Sequence, residues 1–259
     1  IELGPVADRV GGLDLVLVGP DDPEAMRRHT EECRKRGIPF VADPSQQLAF
    51  SDGEFIRDLI EGAEYLITNE YESHLTEQKT GWSQDEINAR VRYRVTTLGK
   101  DGVRITGEGI DEPIVVGVAR EVSKADPTGV GDAFRAGFLT GLALGLPLRE
   151  CAEVGSMLAT YVIETVGTQE YDLTIDSFVE RFREAYGDQS ADLLAEALTQ
   201  PRFDDAAVER VRAQVGSIIR SEATDPQSIA AKEMARQAWG GHPYATSLNG
   251  TLDSVAALT

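Results

Sequence analysis

Basic residues are scarce in this sequence of 259 residues: 25 Lys and Arg stand against 44 Asp and Glu, a formal net charge of −19. A surface with that balance repels phosphate backbones, so nucleic acid is excluded as a general partner. Cysteine is nearly absent, with Cys33 and Cys151 far apart; neither a disulfide scaffold nor a Cys-ligated metal centre can be built from them, and both read as free thiols. No run of eighteen apolar residues exists, which excludes an apolar membrane-spanning helix. The first residues, Ile1 to Val10, lack the basic start and apolar run of a signal peptide, so a cytoplasmic location is expected. With 41% hydrophobic and 27% charged residues, what is left is an ordinary globular composition with enough apolar mass for a sizeable core.

Short apolar runs alternate with amphipathic segments along most of the chain. Leu13–Val18 predicts a buried strand ending at Gly19-Pro20, and Asp22-Pro23 supplies a cap and first-turn proline for a helix running through Arg36 to Gly37. Further strands are expected at Ile38–Ala42, Tyr65–Thr68 and Val95–Leu98, with helices at Glu54–Glu61 and Ser83–Arg90, the latter capped by Ser83 with Glu86. Val103–Thr106 is expected to pair with Ile114–Val118 across a Gly-rich turn, and helix returns near Asp132. This alternation predicts an α/β fold with a mostly parallel sheet flanked by helices and ligands at the strands' carboxyl ends. From Asp188 the texture changes to two helical stretches, Ala206–Arg220 and Gln227–Trp239, without a core strand. The expected division is therefore residues 1–190 and a mainly helical 191–259.

The sharpest chemical signal is Asp126-Pro127-Thr128-Gly129-Val130-Gly131-Asp132-Ala133-Phe134, a small-residue loop opening into an apolar helix. Gly129 and Gly131 permit close backbone approach, and the free amides at a helix start, aided by the helix dipole, suit a phosphoryl group. Asp132 at the same place can take a proton from an attacking hydroxyl. Such a loop can also be a simple helix cap, because Asp is common there.

The wider string resembles the second signature of the ribokinase (PfkB) family of sugar and nucleoside kinases, with Pro127 where that pattern has Thr. Two further blocks lie in the family's order: Asn69-Glu70-Tyr71-Glu72, like its Asn-x-x-Glu motif, and Thr96-Thr97-Leu98-Gly99-Lys100-Asp101-Gly102, like its nucleotide turn. Asp43-Pro44-Ser45-Gln46-Gln47, Lys79-Thr80-Gly81-Trp82-Ser83 and Gly167-Thr168-Gln169-Glu170-Tyr171 are similar to actinobacterial adenosine kinases, over about Leu13 to Tyr186. The resemblance implies transfer of the ATP γ-phosphoryl to the 5′ hydroxyl of adenosine, giving AMP, with Asp132 as base at a Gly129–Gly131 anion hole. It implies nucleotide binding by Asn69, Thr97, Leu98, Gly99, Lys100, Asp101, Gly102 and Gly131, nucleoside contacts from Gln46, Gln47 and Asp132, and magnesium ordered through water by Glu72. A monovalent cation is a further candidate of the same origin.

The family's N-terminal portion, with its first strands, β lid and glycine pair, has no counterpart here, so the chain is expected to start partway through the domain. Four readings stay open: an adenosine kinase, a sugar kinase of the same family, a non-catalytic nucleotide-binding or fusion fragment, and a peptidase-related interaction module built around the C-terminal segment. An incomplete sheet also exposes an edge that a second copy would cover, making a homodimer an expected assembly. The tail, from about Leu193 with Pro201-Arg202-Phe203-Asp204 and Gly240-Gly241-His242-Pro243-Tyr244, resembles an insulinase-type (pitrilysin) metallopeptidase. That family's zinc motif pairs two histidines one helical turn apart, and His29, His74 and His242 cannot supply it. A junction between the two pieces is expected near Asp188 to Leu198.

Overall fold

The computed structural model describes residues 2–200, 204–240, 242 and 249–258. The chain divides into two compact units, Leu15–Pro201 and a smaller one made of Ile1–Asp14 with Arg202–Thr259. The expected boundary at residue 190 falls inside the first of these, between residues of one helix that packs on its predecessor.

The larger unit is built on a six-stranded sheet in the order β1 (Val16–Val18), β2 (Phe40–Ala42), β3 (Tyr65–Asn69), β4 (Tyr93–Thr97), β5 (Val103–Gly107), β6 (Ile114–Val116). The first four strands run parallel, β5 pairs antiparallel with β4 and β6 antiparallel with β5, with Val95 opposite Ile105 and Val103 opposite Val116. The mostly parallel α/β sheet is as expected. Strand ends shift by a few residues: β1 begins at Val16 rather than Leu13, β2 at Phe40 rather than Ile38, and β4 runs Tyr93–Thr97 rather than Val95–Leu98. The last case follows from pairing, because Tyr93 and Arg94 have partners on both sides, Tyr65 and Leu66 on β3, Gly107 and Thr106 on β5.

Local chemistry starts and stops the helices on one side of the sheet. In α2 (Pro23–Arg36), the Asp22 carboxylate accepts from the Ala25 amide at 3.1 Å and Gly37 ends the helix in the left-handed region at φ 66°. For α4 (Gly53–Ile60), which follows the short α3 (Gln47–Phe50), Asp52 accepts from Phe55 at 2.8 Å. Reciprocal capping boxes open α5 (Glu70–Thr80) through Asn69 and Glu72, and α6 (Gln84–Asn88) through Ser83 and Glu86. Met26, Ile56, Leu59 and Leu66 are buried on this side.

The other face carries the larger core. Val41, Tyr65, Ile67, Val95, Val103, Ile105 and Val116 from the sheet pack with residues of α7 (Val130–Ala143) and α8 (Leu148–Ile163), chiefly Phe134, Phe138, Cys151 and Met157. The two helices lie unusually close, because a Cβ on Gly137 would stand 2.7 Å from the Gly155 Cα and 2.8 Å from the Val154 carbonyl oxygen. Helices α9 (Ile175–Tyr186) and α10 (Asp188–Thr199) complete this core with Phe178, Phe182, Ala191 and Leu194. Both thiols are unpaired and buried, and burial pushes Cys33 up to about 11 and Cys151 up to about 12, which makes them inert packing residues.

In the smaller unit, α1 (Leu3–Val10) packs on α11 (Asp205–Glu222), followed by α12 (Pro226–Trp239) and α13 (Leu252–Ala256). The two helices expected in the tail are present, and its described residues contain no strand. The remaining motif residues of the tail, Pro201, Arg202, Phe203, Gly241, Pro243 and Tyr244, lie outside the described residues. Among the described residues no helix is long and apolar enough to cross a membrane.

Candidate active site

The carboxyl ends of β2, β3 and β4 meet the start of α7 around a cavity of about 200 Å³. Its walls are Ser45 after β2, Ile67, Thr68 and Asn69 on β3, Glu72 on α5, Thr97 on β4, and Gly129, Gly131, Asp132, Phe134 and Arg135 at the start of α7. Parallel strands all deliver their carboxyl ends to the same edge, so loops far apart in the chain converge there.

The loop before α7 is built to leave helix amides available. Asp126 accepts from the Thr128 amide at 2.9 Å and from the Gly167 amide at 3.3 Å, and hydrogen bonding by the Thr128 side chain first, then by these two amides, holds its carboxyl below the usual carboxylate range. Gly129 follows at φ 81°, where a side chain would be strained and a Cβ would come within 2.8 Å of the Thr168 methyl carbon. As the N-cap residue it supplies no side-chain acceptor, so α7 starts without a side-chain cap; the Val130 amide donates to the Pro127 carbonyl oxygen at 3.4 Å, and the Gly131 and Asp132 amides follow it in the first turn.

Asp132 sits in the first turn of that helix, its side chain 80% exposed, with Oδ1 accepting from Arg135 Nη2 at 2.7 Å. Arg135 Nε meets the Asp43 Oδ2 at 2.9 Å. Asp43 is almost wholly buried just beyond β2, and burial pushes its carboxyl up to about 6; Arg135 opposes that rise, while Glu72 and Asp132 add to it. Its Oδ1, like the buried Thr68 Oγ1, has no hydrogen-bond partner among the described residues. Ser45 is the one described non-glycine residue with positive φ, 42°, and its strained backbone borders the cavity.

Of the residues singled out in the sequence, Asn69, Glu72, Thr97, Gly129, Gly131 and Asp132 are brought together here. Asn69 and Glu72 also serve the helix: the Asn69 side chain accepts from the Glu72 amide, and the Glu72 side chain from the Asn69 amide, both at 2.8 Å. Leu98, Gly99, Lys100, Asp101 and Gly102 are outside the cavity wall. They form a 3₁₀ turn over Gly99–Asp101 that follows directly from Thr97, and Gly102 stays glycine because a Cβ there would stand 1.9 Å from the Val116 carbonyl oxygen. Gln46 and Gln47 are also outside it; Gln47 Nε2 donates to the Asp21 carbonyl oxygen at 2.9 Å. Asp43, Ser45, Thr68 and Arg135 join the site without having been assigned a role from sequence; of these only Arg135, three residues beyond Asp132 on one helix face, had a readable spacing.

The donor set is uniformly hard oxygen, from Glu72, Asp132, Asn69, Ser45, Thr68 and Thr97, and so fits magnesium held partly through water rather than a soft metal. Among the described residues no group of three or more His, Cys, Asp or Glu side chains is placed to hold a metal ion directly, in the tail or elsewhere.

Residues 9–175 match the pfkB family of carbohydrate kinases, and the chain belongs to that family. A nucleoside kinase of Methanocaldococcus jannaschii is 30% identical over 171 residues, covering 65% of this chain and 55% of that protein. The nucleoside kinase of Burkholderia thailandensis, solved in complex with inosine, superposes with a TM-score of 0.64 at 38% identity, over 68% of this chain and 58% of the other. The solved Methanocaldococcus jannaschii nucleoside kinase, described as an archaeal member of the ribokinase family, gives a TM-score of 0.59 at 29% identity over 66% and 56%. The chain thus spans a little over half the length of these relatives.

Proposed function

We propose that this chain carries the phosphoryl-transfer half of an ATP-dependent nucleoside kinase, with adenosine as the expected acceptor. The observation that carries the reading is the convergence of Asp132, the uncapped amides of α7 and the β3 and β4 ends on one small cavity. The likeness to nucleoside kinases, one of them solved with ADP and inosine, supports a nucleoside over a simple sugar.

In this reading the nucleotide lies along the Gly99–Gly102 turn with its phosphates toward Gly131, and Asn69 and Thr97 line its approach. The acceptor hydroxyl enters beside Asp132, which takes its proton as the new O–P bond forms and the bond from the γ-phosphorus to the ADP oxygen breaks. Amides at Gly129 to Gly131 meet the charge on the transferring oxygens. Magnesium, when bound, shares the charge of the phosphate oxygens, and Glu72 would hold its water shell. Gln46 and Gln47 stand outside the cavity wall, next along the chain from Ser45, and the nucleoside contacts given to them rest on the family resemblance.

The test is calorimetric titration of the chain with Mg-ATP, together with an assay of nucleoside monophosphate formation from adenosine and inosine, with ribose as the sugar control. Asp132→Asn is expected to lower turnover by about 10²- to 10⁴-fold while leaving Mg-ATP affinity unchanged. ATP binding without any product from the unaltered chain would make it a nucleotide-binding fragment, and phosphorylation of ribose alone would make it a sugar kinase. Turnover that survives Asp132→Asn would remove Asp132 from the chemistry.

A further inference from the structure

We propose that Arg135 is a positioning residue for the Asp132 carboxylate, and that buried Asp43 acts through Arg135 to fix it. The proposal rests on the reading of Asp132 as the base. Asp132 and Arg135 are one helical turn apart, and on an exposed helix such a pair exchanges freely with water and fixes nothing. Here the guanidinium is held at two points. Its Nε meets Asp43 Oδ2 at 2.9 Å and its Nη2 meets Asp132 Oδ1 at 2.7 Å, so the rigid plane of the fork transmits the placement of one carboxylate to the other.

The exposures show which end is the anchor. The Asp43 side chain is 2% exposed, that of Arg135 15% and that of Asp132 80%. The fixed end is thus packed between β2 and α7, and the reactive end stands at the cavity. Asp43 pays for this place in stability, since its Oδ1 is buried without a partner among the described residues. A carboxylate serving only to pack would be better replaced by an apolar group; one that aims an arginine has a reason to be charged there. Arg135 engages Oδ1 of Asp132, which assigns Oδ2 as the oxygen that receives the proton.

The experiment compares the unaltered chain with Asp43→Asn, Arg135→Gln and Arg135→Lys in two assays. Where the chain turns over, Asp43→Asn and Arg135→Gln are expected to lower kcat by about 10- to 100-fold with the KM for ATP unchanged, and Arg135→Lys to restore part of it. The second assay needs no turnover: water-soluble carbodiimide with an amine nucleophile labels exposed carboxylates, and peptide mass spectrometry gives the rate at Asp132. Freed from its clamp, Asp132 is expected to label several-fold faster in Asp43→Asn and in Arg135→Gln. Equal labelling rates in all the chains overturn the proposal, whatever the kinase assay gives. Arg135→Lys keeps the charge without the planar fork, so it guards against a folding defect: an intermediate labelling rate supports positioning, and an unaltered rate overturns it. A chain that labels as expected yet forms no product with any acceptor leaves the clamp standing and removes only the kinase reading.

Discussion

At the scale of single residues, the site is organised by a carboxylate, Asp43, that lies in a motif string but is given no role by it. Asp43 binds its proton more tightly folded than unfolded, because burial lifts it from the ordinary 3.8 to about 6 and the Arg135 cation does not fully offset that. A raised folded value means stability that is present in full below about pH 4 and is lost as pH rises through about 6. The ceiling on that loss is about 3 kcal/mol. Urea unfolding at pH 4 and pH 7 is therefore expected to show a steeper decline in the unaltered chain than in Asp43→Asn; parallel declines would show that Asp43 does not titrate in that window. Asp132, Gly129, Gly131, Asn69 and Glu72 were legible in the sequence because each belongs to a short string whose backbone geometry depends on near neighbours. The link between Asp43 and Arg135 was not, since nothing local joins the end of β2 to the start of α7.

The elements place the site through close packing. Gly137 on α7 and Gly155 on α8 let the two backbones touch, and a Cβ on Gly155 would also stand 2.7 Å from the Phe134 carbonyl oxygen. Gly137→Ala gains helix propensity of up to about 1 kcal/mol, but pushing two backbones apart costs about 1–3 kcal/mol. Net destabilisation is expected, read as a lower urea midpoint with an unchanged slope; a rise in the midpoint would show that α8 yields without strain. The strands and the capped helices α2, α4 and α6 were readable from alternation and cap residues. Helix α8 was not, because its residues Cys151 to Met157 are all buried and leave no polar face to mark a period of 3.6. At the start of α5, Asn69 to Glu72 could be read either as a ligand motif or as a solvated helix start, and the structure shows the capping box of a helix start there.

Over the whole molecule, the net charge of −19 works against compaction. Much of the surface charge is already paired, as in Arg92 with Glu64 and Glu108, yet the excess of acid remains. Raising sodium chloride from about 10 to 150 mM shortens the Debye length from about 30 to 8 Å and should raise the thermal midpoint. A midpoint that falls with salt would mean that attractive pairs outweigh the repulsion. In the proposed reading, the same excess leaves the site dependent on a local device, the α7 amides, to meet a polyanionic nucleotide.

What the sequence alone determined is the class of fold, the family, and the loop with Asp132, because alternation, caps and glycine-dependent turns are written in contiguous residues. The tertiary structure decided which of the motif residues share a cavity, that Gln46 and Gln47 stand outside its wall, and that Asp43 and Arg135 belong inside the arrangement. It also decided that the first fourteen residues group with the tail rather than with the sheet. These are matters of sheet register and helix approach. They depend on contacts between residues distant along the chain, and local chemistry does not encode them one segment at a time.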